Sequence, residues 1–87
     1  MNSNKKYGYI YIPEPRRKIK PLKYMMQKEG KTAIMDFCKK MDESYNNLIQ
    51  TFYRNKSRES IVNRIISKAN TYFGWNLKAT DFEEIEK

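Results

Sequence analysis

The sequence predicts a mainly α protein: a small helical domain built on an antiparallel helical hairpin, with an extended basic N-terminal arm and a short β-strand. Two stretches with helical periodicity, 32–54 and 57–73, are separated only by Asn55 and Lys56, so the two helices must run antiparallel. Prolines at 13, 15 and 21 exclude a continuous helix through residues 13–21. With 87 residues the chain makes one domain with a limited core. We place the arm at 1–20 and the helical domain at 21–87.

The arm combines a period-two segment with a basic one. Alternation in YGYIYIP predicts a short strand over 7–12 that carries Tyr7, Tyr9 and Tyr11 on one side. These tyrosines suit base stacking or contact with a partner protein, and the alternative is that they pack on the helical body. The following PEPRRKIKP favours an extended, polyproline-like course because of its prolines.

Positive charge is concentrated in the N-terminal third of the chain. The formal net charge is +8, and residues 1–31 hold nine Lys or Arg against two acids, whereas residues 32–87 hold nine against eight. Such a basic segment favours a polyanionic partner, either nucleic acid or an acidic protein surface. A solvated linker is the alternative for this segment. The residues predicted to contact phosphates here are Arg16, Arg17, Lys18, Lys20 and Lys23.

Three of the four expected helices are predicted mainly as scaffold. Pro21 suits the first turn of a helix over 21–29. Apolar residues from Ile34 to Phe52 recur at alternating spacings of four and three, which predicts one long helix over 32–54. We expect this seam to pack on the next helix, with a dimer seam as the second choice. The acidic segment near the end of the chain predicts a short helix over 81–86.

The helix predicted over 57–73 is the second candidate site. Ser57 is placed to cap its start, and Gly74 to end it in a left-handed conformation. After Glu59 the helix carries no acid, and its polar side chains are of the types that read base edges and phosphates. A polar surface on a core helix is the alternative. The candidate contacts here are Arg58, Asn63, Arg64 and Lys68.

The segment KSRESIVNR resembles the opening of recognition helices in helix-turn-helix and ribbon-helix-helix regulators. The predicted helix before it is too long for the first pattern, and the predicted strand is too distant in sequence for the second. No family is assigned on this resemblance.

The sequence predicts a non-enzyme, with no catalytic residue, no metal site and no cofactor. It contains no histidine and a single cysteine, Cys38, which excludes Cys–His and Ser–His–Asp chemistry and a zinc site within the chain. The segment Gly30–Thr32 lacks the earlier glycine of a phosphate-binding loop, because Met25 occupies that position. One cysteine and no long apolar run indicate a cytoplasmic protein without membrane contact.

The leading prediction of function is a small, basic nucleic-acid-binding protein, with DNA favoured over RNA as the partner. We expect an accessory or regulatory factor for a larger replication or transcription protein, encoded by a phage or a mobile element. The alternative is a protein-interaction subunit that docks its arm and tyrosines on an acidic surface of a larger enzyme. Both predictions are compatible with a homodimer.

Overall fold

The computed structural model describes residues 14–85, and it confirms a small, mainly α domain. The strand predicted over 7–12, with Tyr7, Tyr9 and Tyr11, lies outside the described residues. The elements in chain order are β1 (Arg16–Arg17), α1 (Lys20–Gln27), α2 (Ala33–Lys40), α3 (Tyr45–Arg54), β2 (Ser57–Arg58), α4 (Glu59–Phe73), a 3-10 helix (Ala79–Asp81) and β3 (Glu84–Ile85).

The single long helix predicted over 32–54 is wrong, because the segment breaks into α2 and α3 at the turn 41–44. Asp42 adopts a left-handed conformation with φ 58°, which a short polar side chain tolerates and a helix does not. Ser44 then caps the next helix, since its Oγ accepts a hydrogen bond from the Asn47 backbone N–H at 3.3 Å. The break therefore has two local causes.

A three-helix unit replaces the predicted hairpin of long helices. Each of α1, α2 and α3 contacts the other two. Helix α4 packs on this unit through side chains, as when Phe37 of α2 meets Tyr72 and Phe73 with ring centroids 5.7 and 5.8 Å apart. One core serves all four helices, and its buried members are Ile19, Leu22, Met26, Ile34, Phe37, Cys38, Leu48, Phe52, Val62, Ile65, Ile66, Ala69, Ala79 and Phe82.

The described part of the arm is extended, as predicted, but it is the central strand of a small antiparallel sheet. The strand order is β2-β1-β3. Arg16 lies opposite Arg58 on one side and Ile85 on the other, whereas Arg17 lies opposite Ser57 and Glu84. Because successive side chains of a strand point to opposite faces, the two arginines of the arm point in opposite directions.

Helix α4 begins two residues later than predicted and ends where predicted. Ser57 belongs to β2 and does not cap the helix. The Glu14 carboxylate occupies that place instead, since its Oε1 accepts a hydrogen bond from the Ser60 N–H at 2.8 Å. Gly74 closes the helix with φ 77°.

The helix predicted over 81–86 is wrong, because its second half pairs with the arm. The chain after α4 is first anchored by Asn70, whose side chain bonds both the N–H and the C=O of Leu77, at 2.9 and 3.0 Å. A 3-10 helix follows, and then β3 fills the second edge of β1. The Lys18 N–H donates to the Glu83 carbonyl at 2.8 Å, which begins this pairing. Sheet pairing outweighs the helix-start chemistry of the acidic residues.

Candidate nucleic-acid interface

Arg16 and Arg58 stand side by side on the outer face of the sheet. Both side chains are exposed, and their Cα atoms are direct partners across β1 and β2. The Glu59 N–H donates to the Pro15 carbonyl at 2.9 Å, so Pro15–Glu59 is a hydrogen-bonded pair and the neighbouring Arg16–Arg58 is a non-hydrogen-bonded one. Side chains approach most closely in pairs of that kind, with Cβ atoms roughly 4.5–5.5 Å apart.

Neither of these two arginines forms an ion pair among residues 14–85. Glu14 is the acidic group whose charge acts on Arg58, but its carboxylate is bonded to Ser60. Hydrogen bonding from Ser60, with a smaller contribution from the Arg58 charge, lowers the pKa of Glu14. Arg16 and Arg58 therefore present two adjacent guanidinium groups to solvent.

Arg17, also predicted as a phosphate contact, instead makes hydrogen bonds within the fold. Its side chain is 10% exposed. Nε and Nη2 donate to Glu59 Oε1 at 3.2 and 3.0 Å, and Nη1 donates to the Phe82 carbonyl at 3.0 Å. Glu84 Oε1 lies 4.0 Å from Nη2. Arg17 thus joins β1, the start of α4 and the approach to β3, and we leave it out of the interface.

The three lysines of the arm region differ in how much of their charge is available. Lys18 Nζ lies 3.5 Å from Glu83 Oε1, and both side chains are largely exposed. Lys20 is half-buried at the start of α1, where its N–H donates to Asn55 Oδ1 at 2.8 Å. Lys23 is half-buried one turn further along α1. Lys20 and Lys23 form no ion pair among residues 14–85.

Glu43 forms ion pairs with two of the cationic residues predicted for the α4 face, and its single negative charge offsets one of their two positive charges. Arg64 holds this carboxylate with two bonds, Nε to Oε2 and Nη2 to Oε1, both 3.1 Å, and Lys68 Nζ donates to Oε2 at 2.8 Å. The Glu43 side chain is only 9% exposed. Burial by itself raises its pKa, but the bonds from Lys68 and Arg64 outweigh burial and lower the pKa. Asn63 is exposed and lies outside this cluster.

The exposed face of α3 is a polar surface that sequence reasoning missed. The helix, YNNLIQTFYR, contains no acid. At 100° per residue five of its six exposed positions fall within an arc of about 120°, opposite the buried Leu48 and Phe52, and the sixth, Tyr45, lies outside that arc at 40% exposure. The five positions within the arc, named the α3 stripe, are Asn46, Asn47, Gln50, Tyr53 and Arg54. Tyr53 is 83% exposed, more than any other large hydrophobic residue described.

A shallow groove of about 350 Å³ adjoins the start of α3. Its lining includes the apolar side chains of Ile34, Met35 and Ile49 together with Lys23 and Lys31. The groove is therefore lined by both apolar and basic groups.

The described residues contain no cluster that suggests a metal centre, and the lone thiol is buried. No group of three or more Cys, Asp or Glu side chains converges within 14–85. Cys38 is 2% exposed, and burial, reinforced by the charge of Glu43, raises its pKa. Over the same residues no helix combines the length and the apolar character needed to cross a bilayer.

Comparisons with protein-family models, with curated proteins and with solved structures find no match to this chain.

The Glu43 cluster leads to a prediction about pH. Because the folded pKa of Glu43 lies below the ordinary 4.5, its contribution to stability is complete above that pH and is lost as pH falls through the folded value. We expect Glu43→Gln to cost about 1–3 kcal/mol at neutral pH, with the deficit shrinking in acid. Urea unfolding of both proteins at a series of pH values measures it.

Glu29→Gln is the matched control for that experiment. It removes the same charge from an exposed position and should change the free energy of unfolding by less than about 0.5 kcal/mol. A Glu43→Gln deficit that stays constant down to acid pH would contradict the charge-based account of this cluster.

Proposed function

We propose that this protein is a small, basic, non-enzymatic nucleic-acid-binding protein that binds DNA as an accessory or regulatory factor of a larger replication or transcription protein. The observation that carries the proposal is the Arg16–Arg58 pair. Like charges directly opposite each other in a sheet destabilise it, so the fold gains nothing from this arrangement. An anion bound between the two guanidinium groups attracts both and offsets their mutual repulsion. Arginine is well suited to bind phosphate in this way.

The surroundings of the pair support a polymeric anion over a single one. Lys20 lies near the turn between α3 and β2 through its bond to Asn55, and Lys56 and Arg54 flank that turn in sequence. Of these, Lys56 and Arg54 are exposed. Several cationic residues close to one junction of the chain suit the repeated charge of a nucleic-acid backbone better than a single anion.

The proposal is tested by measuring affinity for duplex DNA, single-stranded DNA and RNA over a salt series. For duplex DNA the log–log slope of affinity against salt is about −0.9 per phosphate contacted. We expect the double variant Arg16→Ser/Arg58→Ser to bind more weakly and to flatten that slope by about two units.

The matched control is Lys28→Ser/Lys78→Ser, which removes the same charge at the far end of α1 and in the loop after α4. This control should keep the slope of the native protein. Equal slopes for the Arg16/Arg58 variant and the native protein would remove the pair from the interface. Absence of salt-dependent binding to any of the three nucleic acids would contradict the proposed function.

The groove beside α3 favours a second candidate function, a protein-interaction subunit that docks on an acidic surface of a larger enzyme. Met35 is 43% exposed at its edge, beside Lys23 and Lys31. Under this reading Met35→Asp should abolish binding to the partner enzyme and leave the salt slope for DNA unchanged. Retention of the partner by Met35→Asp in a pull-down would exclude the groove as the docking site.

A further inference from the structure

We propose that α3 is the helix that reads duplex DNA, lying in the major groove with Asn46, Gln50 and Arg54 towards the base edges. This inference rests on the proposed function and adds the element, the groove and the form of nucleic acid. Helix α3 was predicted only as the second half of a scaffold helix. Its separate existence, with its own cap and its own exposed face, follows from the break at 41–44.

The composition of the α3 stripe is unusual for a surface that only meets water. A solvated helix face normally carries Glu, Lys and Ala, which are good helix formers, whereas Asn is a weak one. Here three neutral amides, an arginine and a tyrosine lie on one side without an acid. Asn and Gln side chains make paired hydrogen bonds to adenine, and Arg makes them to guanine. The stripe is therefore rich in groups that distinguish bases.

The packing of α3 in the three-helix unit fixes which way the α3 stripe faces. Leu48 and Phe52 are 3% and 1% exposed, so the rotation of α3 about its axis is set by the core. Ser44 fixes the residue at which the helix begins. The lengths of α2, its four-residue turn and α3 resemble those of a helix-turn-helix, in which the second helix enters the major groove. Asp42, in the left-handed region, stands in the turn where such motifs often use glycine.

Helix α4, the element favoured by sequence, is a weaker candidate for the same role. Its two cationic side chains, Arg64 and Lys68, are committed to Glu43. The Thr71 hydroxyl donates to the Ser67 carbonyl at 3.1 Å, so it too is engaged within the helix. In addition, the start of KSRESIVNR is strand β2 rather than a helix opening.

The basic pair of the sheet lies close along the chain to the end of α3, since Arg58 belongs to the strand that follows α3 and pairs with Arg16. Arg54 is the last residue of α3, and Arg58 follows after one turn of chain. The major groove is about 12 Å wide and admits one α-helix between two phosphate backbones. Under this proposal Arg58 and Arg16 are the phosphate contacts beside the C-terminal end of α3.

The test starts from a duplex library randomised over about one helical turn, or 10 base pairs, from which the full chain selects its preferred sequence. Gln50→Ala and Asn46→Ala are then measured on the selected duplex and on an unrelated duplex. We expect each variant to lose about 5- to 150-fold affinity for the selected duplex and to relax base preference at specific positions. Affinity for the unrelated duplex and the salt slope should stay unchanged, because neither variant alters charge.

Asn76→Ala, in the loop after α4, and Ser67→Ala on α4 are the matched controls, since each removes a neutral, exposed polar group that the proposal does not use. They should keep the native affinity and base preference. Full selectivity in both α3 variants, failure of the library to yield any preferred sequence, or a preference for single-stranded DNA or RNA would each overturn the assignment of α3. If the native protein still binds nucleic acid in a salt-dependent way in those cases, the proposed function stands without the assignment of α3. A native protein that binds no nucleic acid would contradict both proposals.

Discussion

Phe37→Ala should lower the free energy of unfolding by about 3–5 kcal/mol. Phe37 is fully buried, and its ring contacts Tyr72 and Phe73 of α4, with Phe73 stacked in turn on Trp75 at 4.4 Å. The substitution removes the principal aromatic contact between α2 and α4 and leaves a cavity. Domains of this size are stable by roughly 5–15 kcal/mol, so the variant would lose a large share of its stability.

Trp75 is the single tryptophan and stacks on Phe73, so its fluorescence follows this cluster during urea unfolding. Tyr53→Ala is the control, because an aromatic side chain that is 83% exposed should cost less than about 0.5 kcal/mol when removed. A Phe37→Ala protein as stable as Tyr53→Ala would mean that α4 does not pack on α2 as described.

Arg17→Ala should lower the free energy of unfolding by about 2–3 kcal/mol. Breaking a fully buried ion pair costs about 3–5 kcal/mol, but the Glu59 side chain is 31% exposed and water can partly replace the lost guanidinium. The Phe82 carbonyl also loses its bond from Nη1. The same unfolding assay measures the loss. Arg17→Lys should recover little of it, because a single ammonium group cannot make the same divergent bonds.

The neighbouring Arg16→Ala provides the contrast in the same strand. It should leave stability unchanged or slightly raised, since it relieves the repulsion with Arg58, and it should weaken DNA binding. If Arg17→Ala proved as stable as Arg16→Ala, the structural place of Arg17 would be contradicted. A variant that replaced Arg16 and Arg17 together would therefore confuse loss of folding with loss of binding.

The helical core was predictable because its pattern survives the break in the chain. The apolar seam has members at 34, 38, 41, 45, 48 and 52. Ile34, Cys38, Leu48 and Phe52 are buried, whereas Met41 is half-buried and Tyr45 is 40% exposed. The seam itself gave no sign of the break, because α2 and α3 both turn their apolar sides to the same core. The local signals were Asp42, which tolerates the left-handed region, and Ser44, which caps a helix.

The sheet could not be predicted, since each of its strands is two residues long. A period-two pattern cannot be recognised over two residues, and pairing between distant segments leaves no local trace. The consequence for the candidate site was direct. Arg16 and Arg17 look equivalent in the sequence, and only the register with β2 separates an exposed arginine from a buried one. Likewise, the α3 stripe becomes visible only once α3 is a helix of its own.

The position of β1 between β2 and β3 leads us to expect that the helices form before the sheet closes. Helices α1 to α3 form from contacts that are close in sequence, and such contacts form fast. Closing the sheet instead joins Arg17 to Phe82, 65 residues away, and the entropy of closing a loop increases with its length. During synthesis β1 leaves the ribosome before β3. Until β3 has been made, the edge of β1 that pairs with it has no partner strand. We therefore expect the nascent chain to be most sensitive to proteases, and most able to pair with other chains, after its helices have formed and before β3 has been synthesised.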